Sequence, residues 1–394
     1  MSSVQTGLDV WVSEDFSALK GRRVGAIVNP TSVDRQLRHL ADLLAAAPGV
    51  TLAALFGPEH GVRGEAQYMV AVNDVSHDPR TSVPVHSLYG HTFESLSPRP
   101  EWLANLDALV FDIQDVGSRY YTYVYTMALA MKAAAKAGIP FYVLDRPNPI
   151  GGAQVEGNLV GDRYRSFVGL YALPNRHGMT AGELARLFNA EEGWGADLRV
   201  VPCRGWRREQ GFAQTGLPFI PPSPNMPTPD TALVYPGMCL AEGTNVSEGR
   251  GTCRPFEQFG APWLDSAAVV DVLGKEDLPG VRFRACSFMP TFDKHQRQSC
   301  SGAFIHVTDP RTFRPLRTGI AVMRAAYQLG GASFRWRTDA YEFVDEIPAF
   351  DLLCGTDQVR RGIEEDWALS RILEGFDAQA AAFEARRRGY LLYE

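Results

Sequence analysis

At 394 residues, with 45% hydrophobic and 21% charged residues, the chain is too long for one ordinary core and too apolar for extensive disorder, so two folded domains are expected. A formal net charge of -6 without any long basic run argues against nucleic acid, and six cysteines (Cys203, Cys239, Cys253, Cys286, Cys300, Cys354) without a CxxC pair argue against structural zinc and for free, mostly buried thiols in a reducing compartment. No stretch of about 20 apolar residues predicts membrane insertion, and residues 1–9 lack the basic and apolar regions of a signal peptide, so a cytoplasmic location is expected, or a periplasmic or secreted one if a leader has been removed.

The first half alternates apolar runs with helical patterns. Residues 23–29 form a short apolar run closed by Pro30, and Leu37, Leu40, Leu43 and Leu44 predict a helix over 33–47. Residues 50–56, 106–113 and 139–144 are further apolar runs. The alanine-rich stretch 119–137 reads as a helix with Gly138 as its C-cap. Near-continuous apolar runs between helices mark a parallel sheet covered on both faces, so the fold class is α/β, with a Rossmann-like, doubly wound N-terminal domain of mainly parallel sheet. A helix over 180–189 carries a capping box, Thr180 with Glu183, and 198–202 reads as another strand. The stretch 218–229, PFIPPSPNMPTP, holds six prolines and is neither helix nor central strand; an ordered connection near a domain boundary is expected, with a loop lining the site as the competing reading. Beyond it, strands at 231–235, 281–288 and 303–307 and helices at 316–329 and 358–374 predict a smaller α+β C-terminal domain. The expected division is a first domain over 1–229 and a second over 230–394.

Ligands of open α/β sheets bind beyond the carboxyl ends of the strands. The first run delivers Asn29 and Thr31 there. The second delivers Glu59 and His60, inside GPEHG, then Arg63 and Glu65. The third delivers Asp112, Gln114 and Asp115, followed by Arg119, Tyr120 and Tyr121; the fourth delivers Asp145, Arg146 and Asn148. Four polar ends on one edge predict a site, although Asp, Asn and Pro also simply terminate elements. Glu59 and Asp115 are the carboxylate pair a glycosidase would need, one protonating the leaving oxygen and the other acting as base or nucleophile. Enclosure by Phe56, Pro58 and nearby aromatics is expected to keep Glu59 protonated. Of Tyr120, Tyr121, Tyr123 and Tyr125, some offer flat faces to a sugar ring and at least half belong to the core.

No GxGxxG follows the first run and no GxxxxGK[ST] occurs, so no nucleotide cofactor, and no cofactor of any kind, is expected. Glu59, His60, Asp112 and His177 lack any dedicated metal-ligand spacing, so no metal is expected. The absence of GxSxG lowers the case for an α/β-hydrolase esterase. In GTNVSEGRG, 243–251, and just before it, Glu242, Asn245 and Arg250 look like hydrogen-bonding groups for a polar ligand; a plain surface turn is the alternative.

Several long motifs resemble those of the NamZ-type exo-β-N-acetylmuramidases (glycoside hydrolase family 171, formerly a domain of unknown function). They are LFGPEHGVRG at 55–64, FDIQDVGSRYYTYVYTM at 111–127, VLDRPNPIGG at 143–152, FVGLYALPNRHGMTAGELA at 167–185, the block from PPSPNMPTPD to GAPW at 221–263, and RGYLLYE at 388–394. The resemblance covers nearly the whole chain. It implies release of β-1,4-linked N-acetylmuramic acid from the non-reducing end of peptidoglycan fragments, from a cleft between two domains. It places Glu59 where the family's proposed catalytic glutamate lies. The second group stays open between Asp115 and the substrate's own acetamido oxygen. Muramic acid carries a lactyl carboxylate, which calls for an arginine fork. Among the motif arginines Arg63, Arg119, Arg146, Arg176 and Arg250, Arg63 and Arg250 are the candidates, and His177 and Asn225 complete the expected substrate contacts. The expected partners are muramic-acid-containing disaccharides and glycan fragments; a homo-oligomer is left open. The competing functions are a non-catalytic muropeptide-binding protein and a metal-dependent hydrolase.

Overall fold

The computed structural model describes residues 4–64 and 76–394; Glu65 lies outside the described residues. The first half is built on seven strands: β1 (Arg23–Val28), β2 (Thr51–Gly57), β3 (Ser76–His77), β4 (Pro84–Ser87), β5 (Ala108–Asp112), β6 (Phe141–Leu144) and β7 (Leu198–Val201). They lie in the order β3-β4-β2-β1-β5-β6-β7. All neighbours are parallel except the edge pair β3–β4. Counting the six parallel strands alone, the spatial order is 3-2-1-4-5-6, the doubly wound arrangement, with the winding reversing between β1 and β5. β5 and β6 are buried at every position, and β1 at all but its first. That is why their sequences run apolar without alternation. The parallel register sets Ile27 beside both Phe56 and Phe111, so β1, β2, β5 and β6 end on one edge.

The second half holds an antiparallel sheet of β8 (Gln258–Ala261), β9 (Val281–Phe288) and β10 (Cys300–Val307), ordered β8-β10-β9. Helices Pro229–Met238 and Pro315–Gly330 pack with their backbones in contact. A Cβ added at Gly237 would sit 1.8 Å from the Pro315 carbonyl oxygen, so no larger residue fits without moving a helix. One hydrophobic core runs through both halves, joining Phe56, Phe111 and Val143 to Tyr235, Phe259, Ile320 and Leu352. Among the described residues no helix is long and apolar enough to cross a membrane.

Four expected elements differ. Residues 231–235 are helix, not strand. Thr228 accepts the Thr231 amide as N-cap, Pro229 starts the helix, and TALVY is buried helix whose short apolar run looks the same as a strand's. The helix expected over 33–47 is only Leu40–Ala46, because Asp34 accepts the Gln36 and Arg38 amides in a turn and Leu37 takes a φ of 61°. The helix expected from 119 begins at Tyr123, after a loop in which Gly117 has a φ of 80°. The stretch 358–374 is two helices, Gln358–Glu364 and Leu369–Ile372, broken where Asp366 takes a φ of 54°. The proline-rich segment has neither helix nor strand up to Thr228, and the capping box of Thr180 with Glu183 is formed. All six cysteines are free, and Cys253 is exposed.

Candidate active site

Beyond β2 the chain turns sharply. The Gly61 amide donates to the Pro58 carbonyl at 3.0 Å, and His60 and Gly61 take φ values of 73° and 81°. A left-handed His costs about 1 kcal/mol, and the turn it makes carries Glu59 and His60 into a cavity between the two halves. That cavity encloses about 530 Å³, mouth included. The first half contributes Glu59, His60 and Tyr120–Tyr123 to its lining. The proline-rich segment contributes Ser223, Asn225 and Met226, and the second half Glu242, Arg250, Tyr341 and Glu342. The segment 218–229 is thus both a connection and a wall of the cavity. Tyr123 holds that wall in place by donating to the Pro222 carbonyl at 2.7 Å. Burial first, and then the charge of Glu59, push the Tyr123 hydroxyl well above its usual range, so it stays a donor.

Three carboxyl groups face this space, in different circumstances. Glu242 is anchored: Arg250 Nη2 donates to Oε1 at 2.7 Å and the Tyr341 hydroxyl to Oε2 at 2.8 Å. Arg250 also meets Glu248 at 2.9 Å, and Lys294 Nζ donates to Glu248 at 2.8 Å, so the Arg250 guanidinium is fixed from behind. It lies 5.1 Å from the Phe256 ring. Glu59 lies 4.0 Å from His60 Nε2. Glu342 is 8% exposed, and its Oε2 finds no hydrogen-bond partner among the described residues. Burial, then the charges of Glu59 and Glu242, push its carboxyl up to about 8.

Of the residues singled out in the sequence, Glu59, His60, Tyr120, Tyr121, Asn225, Glu242 and Arg250 come together here. The others are engaged elsewhere. Asp112 and Arg146 form a buried pair, with Nε–Oδ1 at 2.6 Å and Nη2–Oδ2 at 2.9 Å. Asn29 Oδ1 accepts the Thr31 amide and hydroxyl, and Gln114 donates to the Asp115 and Pro147 carbonyls. Asp115 accepts the Gly117 amide at 2.7 Å and lies 3.5 Å from His177 Nε2, and His177 accepts the Met179 amide. Arg119 is fully buried and donates to the carbonyls of Asn158, Leu173 and Leu353, tying the two halves together. Asp145 accepts from Thr180, Gly182 and Tyr393, and burial pushes its carboxyl up to about 6. Arg63 reaches Asp78 and Asp42, and Asn245 clips Ser333 and Arg335. Glu342 and Tyr341 were not singled out. They stand in a segment without periodicity or glycine signature, and the carboxylates they meet, Glu242 and Glu59, are distant in sequence, which no local pattern reports.

Residues 24–230 match the family model described as exo-β-N-acetylmuramidase NamZ, N-terminal, and residues 233–393 match its C-terminal counterpart. The chain is 47% identical over 390 residues to the peptidoglycan β-N-acetylmuramidase NamZ of Bacillus subtilis (strain 168), a match covering 99% of this chain and 91% of that protein. Two crystal structures of DUF1343 family proteins from Bacteroides fragilis are also similar. One has a TM-score of 0.89 and 36% identity, covering all of both chains. The other has a TM-score of 0.77 and 30% identity, covering all of this chain and 99% of that one.

Proposed function

Because this chain belongs to the NamZ family of exo-β-N-acetylmuramidases, we propose that its interdomain cavity is where N-acetylmuramic acid is released from the non-reducing end of peptidoglycan-derived glycans. The chain is a glycoside hydrolase of cell-wall turnover, and muramic-acid-containing disaccharides are its expected substrates. Residues 1–229 form the catalytic half and 230–394 the half that completes the cleft.

The observation that carries this reading is the convergence of Glu59, Glu242 and Glu342 with Arg250 on one cavity walled by tyrosines. Glycoside hydrolysis needs a proton for the departing oxygen and negative charge near the carbon it leaves. Glu59 touches the reacting sugar as one of those groups. Arg250, held in orientation by Glu242 and Glu248, receives the lactyl carboxylate. Asp115, which accepts the Gly117 amide and lies 3.5 Å from His177, stays outside the cavity lining. The substrate's acetamido oxygen is the alternative to a second protein nucleophile.

Release of a chromophore from an aryl β-N-acetylmuramide, with the N-acetylglucosaminide as control, tests the reading. The wild type is expected to cleave the muramide alone, and Glu59→Gln to lose about 10³-fold or more in kcat/KM, or about 4 kcal/mol of transition-state stabilisation. Tight binding of the muramide without any turnover would instead make the protein a sugar-binding module. Loss of activity to a chelator, restored by an ion, would point to a metal-dependent hydrolase.

A further inference from the structure

The turn that carries Glu342 is built against local preference. Glu342 and Phe343 are consecutive non-glycine residues with φ values of 47° and 68°. The turn is closed by reciprocal backbone hydrogen bonds between Tyr341 and Val344, at 2.8 and 3.0 Å. Two left-handed side-chain-bearing residues in a row cost about 1–2 kcal/mol each, and such strain persists where the surroundings over-determine it. Its result is to aim an acidic side chain inward and an aromatic one outward. Glu342 lines the cavity, while Phe343 is 41% exposed and lies edge-on to Phe93 of the first half, ring centres 6.4 Å apart.

We propose that Glu342 is the proton donor to the departing sugar oxygen, an inference that rests on the muramidase reading above. The three cavity carboxyls divide by what surrounds them. Glu242 already holds an arginine and a tyrosine hydroxyl, so both of its oxygens are engaged by the protein. Glu342 faces Glu59 from the end of β2 and Glu242 from the segment Cys239–Gly243, with Tyr89 from the segment after β4 also near; Arg337 of its own segment is the opposing cation. A buried carboxyl between two like charges keeps its proton at neutral pH, which is the state an acid catalyst must be in. Glu59 then takes the other role, as the charge, base or nucleophile at the anomeric carbon.

In the step, the Glu342 proton moves to the glycosidic oxygen as the bond from that oxygen to C1 breaks. The bond's electron pair stays with the oxygen, which departs as a sugar hydroxyl. Water supplies the oxygen that ends on C1, and its released proton restores the acid.

Leaving groups that differ in their need for a proton provide the test. A β-muramide of an acidic dinitrophenol departs as the phenolate, whereas a disaccharide requires protonation. Glu342→Gln is expected to lose about 10²–10⁴-fold in kcat/KM on the disaccharide and less than about tenfold on the dinitrophenyl glycoside. Glu59→Gln is expected to lose heavily on both. Equal losses on the two substrates for Glu342→Gln, or a rise in KM with kcat kept, overturn the assignment. Should the glutamine variant not fold, the wild type decides. Its kcat/KM for the disaccharide should fall about tenfold per pH unit above about pH 8 while that for the dinitrophenyl glycoside stays level. A shared profile overturns the assignment equally. A wild type that cleaves neither substrate removes the muramidase reading and this inference with it, whereas a wild type that cleaves both keeps that reading whatever Glu342 does.

Discussion

Directly at the ends of β1, β5 and β6 most polar side chains bond to one another and to the backbone, whereas the turn directly after β2 carries Glu59 and His60 into the cavity between the halves. Both regions stand on the same edge of the same sheet. The first contains the point where the winding of the sheet reverses, the usual ligand position of a doubly wound fold. Here that neighbourhood holds the Asp112–Arg146 pair and Asn29, Thr31 and Gln114 bonding locally, beside a smaller cavity of about 380 Å³, mouth included, lined by Thr31, Gln114 and Arg146. The second region is completed by residues from the other half of the chain, which supplies Arg250 and two of the three carboxyls. Position on a sheet edge therefore shows where chemistry can be placed, and the satisfaction of each polar group shows where it is.

This contrast can be broken at its static side first. Arg146→Ala leaves the Asp112 carboxylate buried without its cation, so chemical denaturation should show a loss of about 3–5 kcal/mol. Activity per folded molecule should change by less than about fivefold, because an ordinary structural residue contributes little to the barrier. A fall of a hundredfold in a folded variant would bring this network into the active site.

A second test uses the pH dependence of stability. A carboxyl raised in the folded state contributes stability that is complete below its unfolded value, near 4.5, and lost as pH rises through about 8. Glu342→Gln has no charge to acquire. Its unfolding free energy relative to wild type should therefore grow between pH 4 and pH 9, by up to about 5 kcal/mol. A difference that does not change with pH would mean that the carboxyl is not held neutral.

The smallest effect is expected at Asp115. With its Oδ2 given to the Gly117 amide, Asp115→Asn should cost less than about tenfold in kcat/KM, under about 1.4 kcal/mol. A loss near 10³-fold would restore it as the second catalytic group.

The sheet was legible because fully buried parallel strands must be apolar at every position, as the FYVL of β6 is. Strand order was not, since it depends on which faces meet. The helix Pro229–Met238 was misread because five apolar residues suit either element; its start signals, Thr228 and Pro229, were present but lay inside a proline-rich run read as a connection. Within the site, Glu59 was legible because GPEHG follows a strand directly. Arg63 and Asp145 drew notice for the same reason, yet their partners Asp78 and Tyr393 were invisible until the chain folded. Glu342 is the converse case. Its role comes from neighbours distant in sequence, and only the left-handed turn, which the sequence YEFV does not announce, brings it to them.

The hydrogen bond from the Tyr393 hydroxyl to Asp145 joins positions 248 residues apart. A ribosome adding about 5–20 residues per second needs roughly 10–50 s to cover that span. During that interval the buried carboxyl at the end of β6 lacks its last partner, and the Cys203 amide, once made, also waits for Tyr393. The earliest-made part of the protein is therefore among the last to be finished.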